Sequence, residues 1–101
     1  MRQLFYTLQA LADLDDIFDF IAADNPLRAR TYIDEIRLAC RNLCDSPMIG
    51  AERPDLRPGL RILPLWRRIV IAYEQAPDRI DILGIFSGGR DYEAIMTGRG
   101  S

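Results

Sequence analysis

LQALADLDDIFDFIAADNPLRARTYIDEIRLACRNL, residues 8–43, carries two helical periods joined by a stop. In its first half the apolar positions Leu8, Leu11, Leu14, Ile17, Phe18 and Ile21 step by three or four, the spacing that gathers side chains on one face of an α-helix. The aspartates, Asp13, Asp15, Asp16 and Asp19, are expected on the opposite, solvent face. This helix should stop near Ala23 or Asp24, because Asn25 is a good N-cap and Pro26 suits the first position of a new helix. The second period buries Ala29, Tyr32, Ile33, Ile36, Ala39 or Cys40, and Leu43, and ends before Pro47, which cannot continue a helix. So short a link makes the two helices antiparallel neighbours.

Outward from the hairpin, Arg2 to Thr7 reads as a short first strand. Residues 46–59 hold Pro47, Gly50, Pro54, Pro58 and Gly59, and are expected to form a loop or a broken edge strand with exposed arginines. Three β-rich runs follow: Leu60 to Leu65, Arg67 or Arg68 to Tyr73, and Arg79 to Phe86, with breaks at Pro64 to Trp66 and at Glu74 to Asp78. Ser87-Gly88-Gly89 turns the chain, Tyr92 to Met96 adds one helical turn, and the tail from Gly98 to Ser101 has no reason to be ordered. The expected fold is α+β: an N-terminal strand, then an antiparallel helical hairpin packed on an antiparallel sheet, in the order β-α-α-β-β-β. The first strand should join at a sheet edge. The divisions are 1–7, 8–45, 46–59, 60–87 and 88–101 within one domain spanning 1–101.

The chain has 101 residues, 49% hydrophobic and 28% charged, which supports one layered core and is far from the composition of a disordered chain. No apolar run is long enough to span a bilayer and no signal peptide is visible, so a cytoplasmic location is expected. Cys40 and Cys44 lie one helical turn apart and read as reduced core thiols, and no metal or other cofactor is expected, because histidine is absent. Net charge is −2, which argues against a protein that holds nucleic acid by phosphate neutralisation. All 13 basic residues are arginine, and Arg53, Arg57, Arg61, Arg67 and Arg68 cluster with only Asp55 against them. Because a guanidinium fork bonds carboxylates in pairs, the cluster suits an acidic partner.

With neither histidine nor lysine, Ser-His-Asp and Cys-His catalysis are excluded. Gly88-Gly89 is too short to cradle a phosphate and reads as a turn. The remaining catalytic scheme is a histidine-free ribonuclease in which arginines stabilise a phosphorane and a tyrosine or carboxylate moves protons. Arg61, Arg67 or Arg68, Arg90 and Tyr92 are the candidates for it.

Over nearly its whole length the chain resembles the ParE branch of the RelE/ParE toxins. The resemblance rests on Ala12-Asp13-Leu14 with Ile17, Phe20-Ile21-Ala22, Asp24-Asn25-Pro26 with Ala29, Tyr32 and Ile33, and the Pro47 and Gly50 pair. It continues through Arg53, Asp55-Leu56-Arg57, Gly59-Leu60-Arg61, Ile69 to Tyr73, Ile80 to Ile85 and Gly89-Arg90-Asp91. The chain departs from the family at Gly84, where an arginine is common, and at Ser87, where a histidine is. The resemblance implies a non-enzymatic toxin that inhibits DNA gyrase and serves plasmid stabilisation. It also implies neutralisation by a ParD-like antitoxin in a hetero-oligomer, with operator DNA bound through the antitoxin and not by this chain. Arg53, Arg57, Arg61, Trp66, Arg67 and Arg90 are the expected contact residues; a RelE-like messenger ribonuclease using Arg61, Arg68, Arg90 and Tyr92 is the alternative.

Overall fold

The computed structural model describes residues 2–88 and 90–99. Its elements are β1 (Gln3–Tyr6), α1 (Leu8–Ala22), α2 (Pro26–Asn42), β2 (Ala51–Glu52), β3 (Leu60–Leu65), β4 (Ile69–Ala76), β5 (Arg79–Ser87) and α3 (Tyr92–Gly98). Thr7 ends the first strand and caps the first helix: its Oγ1 accepts from Ala10 N at 3.1 Å and its own N–H donates to Ile82 O at 3.0 Å. Asn25 caps α2 as expected, its Oδ1 accepting from Arg28 N at 3.0 Å, with Pro26 opening the helix.

The strands form one five-stranded sheet in the order β1-β5-β4-β3-β2. β1 takes an edge and runs parallel to β5, while the remaining pairs are antiparallel. A parallel neighbour needs a long crossover, and α1 and α2 lie in the stretch of chain between these two strands. β3 spans Leu60–Leu65 as expected, although it passes straight through Pro64, where the break was expected to begin, and β4 extends beyond Tyr73 to Ala76. Proline is tolerated there because β3 is nearly an edge strand, flanked by β2 only at Arg61 and Ile62.

Each sheet face carries a cluster. The hairpin side buries Leu14, Ile17, Ile36, Cys40 and Leu43 against Ile69, Ile71, Tyr73, Ile80, Ile82 and Ile85. The other side packs Leu60, Ile62, Ala72, Leu83 and Phe86 under Met96 of α3. Strict alternation along β5 would put Ile82, Gly84 and Phe86 on one face. A bulge prevents this: Ala72 pairs with Gly84 and Tyr73 with Ile82, leaving Leu83 as the extra residue. The phase change delivers Ile85 to the helices and Phe86 to α3.

The α2 stripe is buried as expected, but α1 is turned about its axis. Leu8 is 84% exposed and Leu11 and Phe18 over a third, whereas Ala10 and Asp13 are buried. Asp13, placed on the solvent side by the periodicity, instead reaches the edge of β5 beyond the end of β1. Its Oδ2 accepts from Ile85 N at 3.0 Å and both oxygens receive the Arg99 guanidinium, at 2.9 and 3.1 Å. Arg99 of the expected tail is therefore held in place, and α3 is seven residues long, not a single turn. Gly89, Gly100 and Ser101, which belong to the expected turn and tail, lie outside the described residues.

The loop leading to β2 is held by side chains from the sheet. Tyr73 OH donates to Pro47 O at 2.8 Å and accepts from Gly50 N at 2.9 Å, and burial pushes its phenol pKa up. Tyr73→Phe leaves a donor and an acceptor unpaired, and an expected loss of about 2 kcal/mol is checked by urea unfolding. Cys40 and Cys44 are free and buried. Burial pushes the Cys40 thiol up from 9.0 to about 11, partly offset by its hydrogen bond with Tyr6. The raised folded value means Cys40 contributes stability below pH 9.0 that is lost as pH rises through about 11. At pH 8 a thiol reagent should label Cys40 only in unfolded chain, and rapid labelling of folded protein would contradict this burial.

Candidate functional site

The arginine-rich stretch separates into three settings. Arg53 is clamped: it pairs with Asp55 at 2.9 Å and Glu93 at 2.5 Å, and its Nη1 donates to Tyr92 OH at 3.4 Å. Hydrogen bonds to Asp55, then Glu93, raise its pKa further, and the Asp55 carboxyl is correspondingly held low. Arg57 pairs with Glu74 at 3.1 Å. Arg61 is buried, its Nη1 donating to Gly50 O at 2.6 Å and Met48 O at 3.3 Å, with Glu52 at 3.2 Å from Nη2. The sequence led us to expect exposed arginines in this stretch, but Arg53 and Arg57 are only partly exposed and all three are spent on internal carboxylates and carbonyls.

The second setting is the β3–β4 hairpin tip. Trp66 and Arg67 both have positive φ, 52° and 58°, and Arg68 N donates to Leu65 O at 2.9 Å across the turn. A two-residue hairpin turn of this kind favours Asn-Gly, and a bulky residue in the left-handed region costs roughly 1–2 kcal/mol. The strained turn lifts Trp66, 49% exposed, onto Tyr32 of α2, with ring centroids 5.4 Å apart. Arg28 lies over the same tyrosine at 5.0 Å. Beside the tip opens a cleft of about 510 Å³, with Ile17, Phe20, Ile21 and Tyr32 among its walls and Arg28, Arg67 and Arg68 around it.

The third setting lies on the other side of the tip. Arg67, Arg68, Arg90 and Tyr92 line a depression of about 230 Å³ with Phe86 at its wall. Arg90 sits 5.8 Å over the Phe86 ring and 4.0 Å from Asp13, so it reaches that buried carboxylate in place of its neighbour Asp91, which caps α3. Of the ribonuclease candidates the structure gathers Arg68, Arg90 and Tyr92 here and leaves Arg61 apart, under the 48–50 loop. Such a hollow can hold an anion between guanidinium groups.

Among the described residues no group of three His, Cys, Asp or Glu side chains is placed to hold a metal ion, and no helix is long and apolar enough to cross a membrane. Phe20 and Tyr32 were not singled out as contact residues. The one signal for Phe20 is its position beside Ile21 at the end of α1, off the buried stripe, where it is 84% exposed.

A strand, a helical hairpin, an antiparallel-dominated sheet and a short closing helix make this a small α+β fold. The family model for the ParE toxin of type II toxin-antitoxin systems, parDE, matches residues 4–92. A solved structure described as the chromosomal ParDE TA system from P. aeruginosa is 31% identical, covers 86% of this chain and 96% of its own, and superposes with a TM-score of 0.72. The conserved hypothetical protein HP0894 from Helicobacter pylori is 12% identical, with coverage of 89% and 98% and a TM-score of 0.48. No curated protein gives a significant match. The chain belongs to the ParE toxin family.

Proposed function

We propose that this chain arrests growth by binding DNA gyrase, without catalysing a reaction itself, and that a ParD-like antitoxin silences it by direct contact. The observation that carries the reading is the family match across residues 4–92, together with the likeness to a ParDE system at 31% identity. Composition supports contact over catalysis, because a chain without histidine or lysine lacks the usual proton carriers near neutral pH. Net charge of −2 fits a protein target better than a polyanion. The complex is a cytoplasmic hetero-oligomer in which the antitoxin, not this chain, binds operator DNA. Of the expected contact residues, Trp66, Arg67 and Arg90 present exposed side chains and are the proposed contact set; Arg53, Arg57 and Arg61 hold the fold through their internal partners.

The test is gyrase supercoiling of relaxed plasmid with purified chain added. Inhibition should appear with the chain alone and vanish when antitoxin is mixed in first. Unimpeded supercoiling at a concentration that halts growth would remove gyrase as the target. A second reading, RelE-like messenger cleavage, is favoured by the convergence of Arg68, Arg90 and Tyr92 on one depression. Under it, primer extension on RNA from arrested cells shows new 5′ ends that disappear with Arg68→Ala or Tyr92→Phe.

A further inference from the structure

Arg67 and Arg68 differ from the other arginines around them. Arg28, Arg53, Arg57, Arg61, Arg90 and Arg99 each have a carboxylate within ion-pair distance. Among the described residues no side-chain carboxylate pairs with Arg67 or Arg68, and both are exposed. They stand on a turn that places Trp66 and Arg67 in the left-handed region, where Asn and Gly are at home. Backbone strain of this kind persists where the surroundings hold it and concentrates at functional sites. What the strained tip displays is an indole and two unpaired cations beside an apolar cleft.

The surface around the cleft sets the chemistry of its occupant. Phe20 and Leu27, 84% and 78% exposed, flank the α1–α2 link, and Tyr32 sits in the cleft wall against Trp66. An aromatic floor rimmed by guanidinium groups suits a large apolar side chain with a carboxylate close by. A nucleic acid strand meets a different field: Asp15, Asp16, Asp19 and Asp24 are exposed along α1 and its end, and they oppose a continuous polyanion more strongly than the few carboxylates of a short segment.

We propose that the cleft between the α1–α2 link and the β3–β4 tip is the docking site for an acidic, apolar-anchored segment of the antitoxin, with Arg67 and Arg68 taking its carboxylates and Trp66, Tyr32 and Phe20 its apolar anchor. This rests on the toxin-antitoxin reading above and deepens it. Arg67 and Arg68 also line the depression that holds Arg90 and Tyr92, so a segment seated in the cleft covers cations of both hollows. Antitoxin binding thereby withdraws the cationic tip from any other partner.

Trp66 is the chain's single tryptophan, so its emission reports on the tip where it stands against Tyr32 of the cleft wall. With the full-length chain and a purified ParD-like antitoxin, Trp66 emission should shift to the blue and become protected from acrylamide on binding. Arg67→Glu/Arg68→Glu should weaken the affinity at least tenfold and flatten its salt dependence, whereas Arg79→Glu, at the far end of the sheet, should not. The decisive variant is Trp66→Asn/Arg67→Gly, which gives the turn its preferred residues: it should melt no lower than the parent yet bind antitoxin at least tenfold less well. Equal affinity in both tip variants, with Trp66 of the parent chain as open to acrylamide in the complex as in the free chain, overturns the assignment while leaving the toxin-antitoxin pair intact. Failure of the parent chain to bind antitoxin overturns both. Binding of short single-stranded DNA by the free chain, lost in the same variants, assigns the cleft to nucleic acid instead and overturns the proposal.

Discussion

Asp13→Ala is expected to cost about 3 kcal/mol of folding stability and to lower the melting temperature by more than about 10 °C. The carboxylate is 4% exposed and satisfies three groups from distant parts of the chain. It caps the Ile85 N–H left open where β1 ends, receives both terminal nitrogens of Arg99, and faces Arg90 at 4.0 Å. Removing it strands a largely buried guanidinium and a buried backbone donor together, and each such group carries a desolvation penalty. Asp13→Asn keeps an acceptor for Ile85 but loses the charge, so its cost should be smaller. Asp13→Ala/Arg99→Ala should cost less than the sum of the two single changes, because the second removal takes away the charge that the first left unpaired. Urea unfolding of the four chains measures the coupling. A loss for Asp13→Ala under about 0.5 kcal/mol would mean that the pair is solvated in solution and does not anchor α3.

This pair also marks where the sequence stops being readable. The helical hairpin is legible because Asn25-Pro26 and two apolar periods are local signals, and the caps form where those signals put them. The apolar arc of α1, from Leu8 to Ile21, is wider than the surface available to bury it, and periodicity alone cannot say which half wins. The sheet takes Leu14 and Ile17 and leaves Leu8 and Phe18 outside, and that rotation carries Asp13 inward. Its partner lies 86 residues away in a glycine-flanked tail, a pairing that no local pattern encodes. The arginine cluster shows the same limit. Its composition is visible in sequence, but the division into clamped Arg53, Arg57 and Arg61 and unpaired Arg67 and Arg68 depends on Asp55, Glu93, Glu74 and the 48–50 carbonyls coming within reach. The β3–β4 break is blurred for a related reason. Pro64 looks like a strand end, yet the outer side of β3 has no neighbour beyond Ile62 and tolerates it.

Gly84→Ala is expected to destabilise the chain by about 1–3 kcal/mol through overpacking, and to do so partly by evicting Arg99. A Cβ at this position would sit 2.5 Å from Phe86 Cζ, 2.8 Å from its Cε2 and 2.7 Å from Arg99 Nη1. The ring has little room to yield: Phe86 is 2% exposed, packed with Met96 and stacked near Tyr92. The guanidinium lies 5.0 Å over that ring and is also bound to Leu83 O and Asp13, so displacing it undoes the junction that ties α3 to α1. The double change Gly84→Ala/Arg99→Ala separates the two contacts. If eviction of Arg99 carries much of the cost, Gly84→Ala should be milder in the Arg99→Ala background; if the ring alone is responsible, the cost should be the same in both. Hydrogen exchange of the α3 amides should rise in Gly84→Ala before global unfolding, because Arg99 is the residue through which the helix end is held. The strand gives up its side chain at Gly84, and the charge beside Asp13 comes from Arg99 at the end of α3, which couples that helix to the core and makes residue 84 intolerant of even one added methyl group.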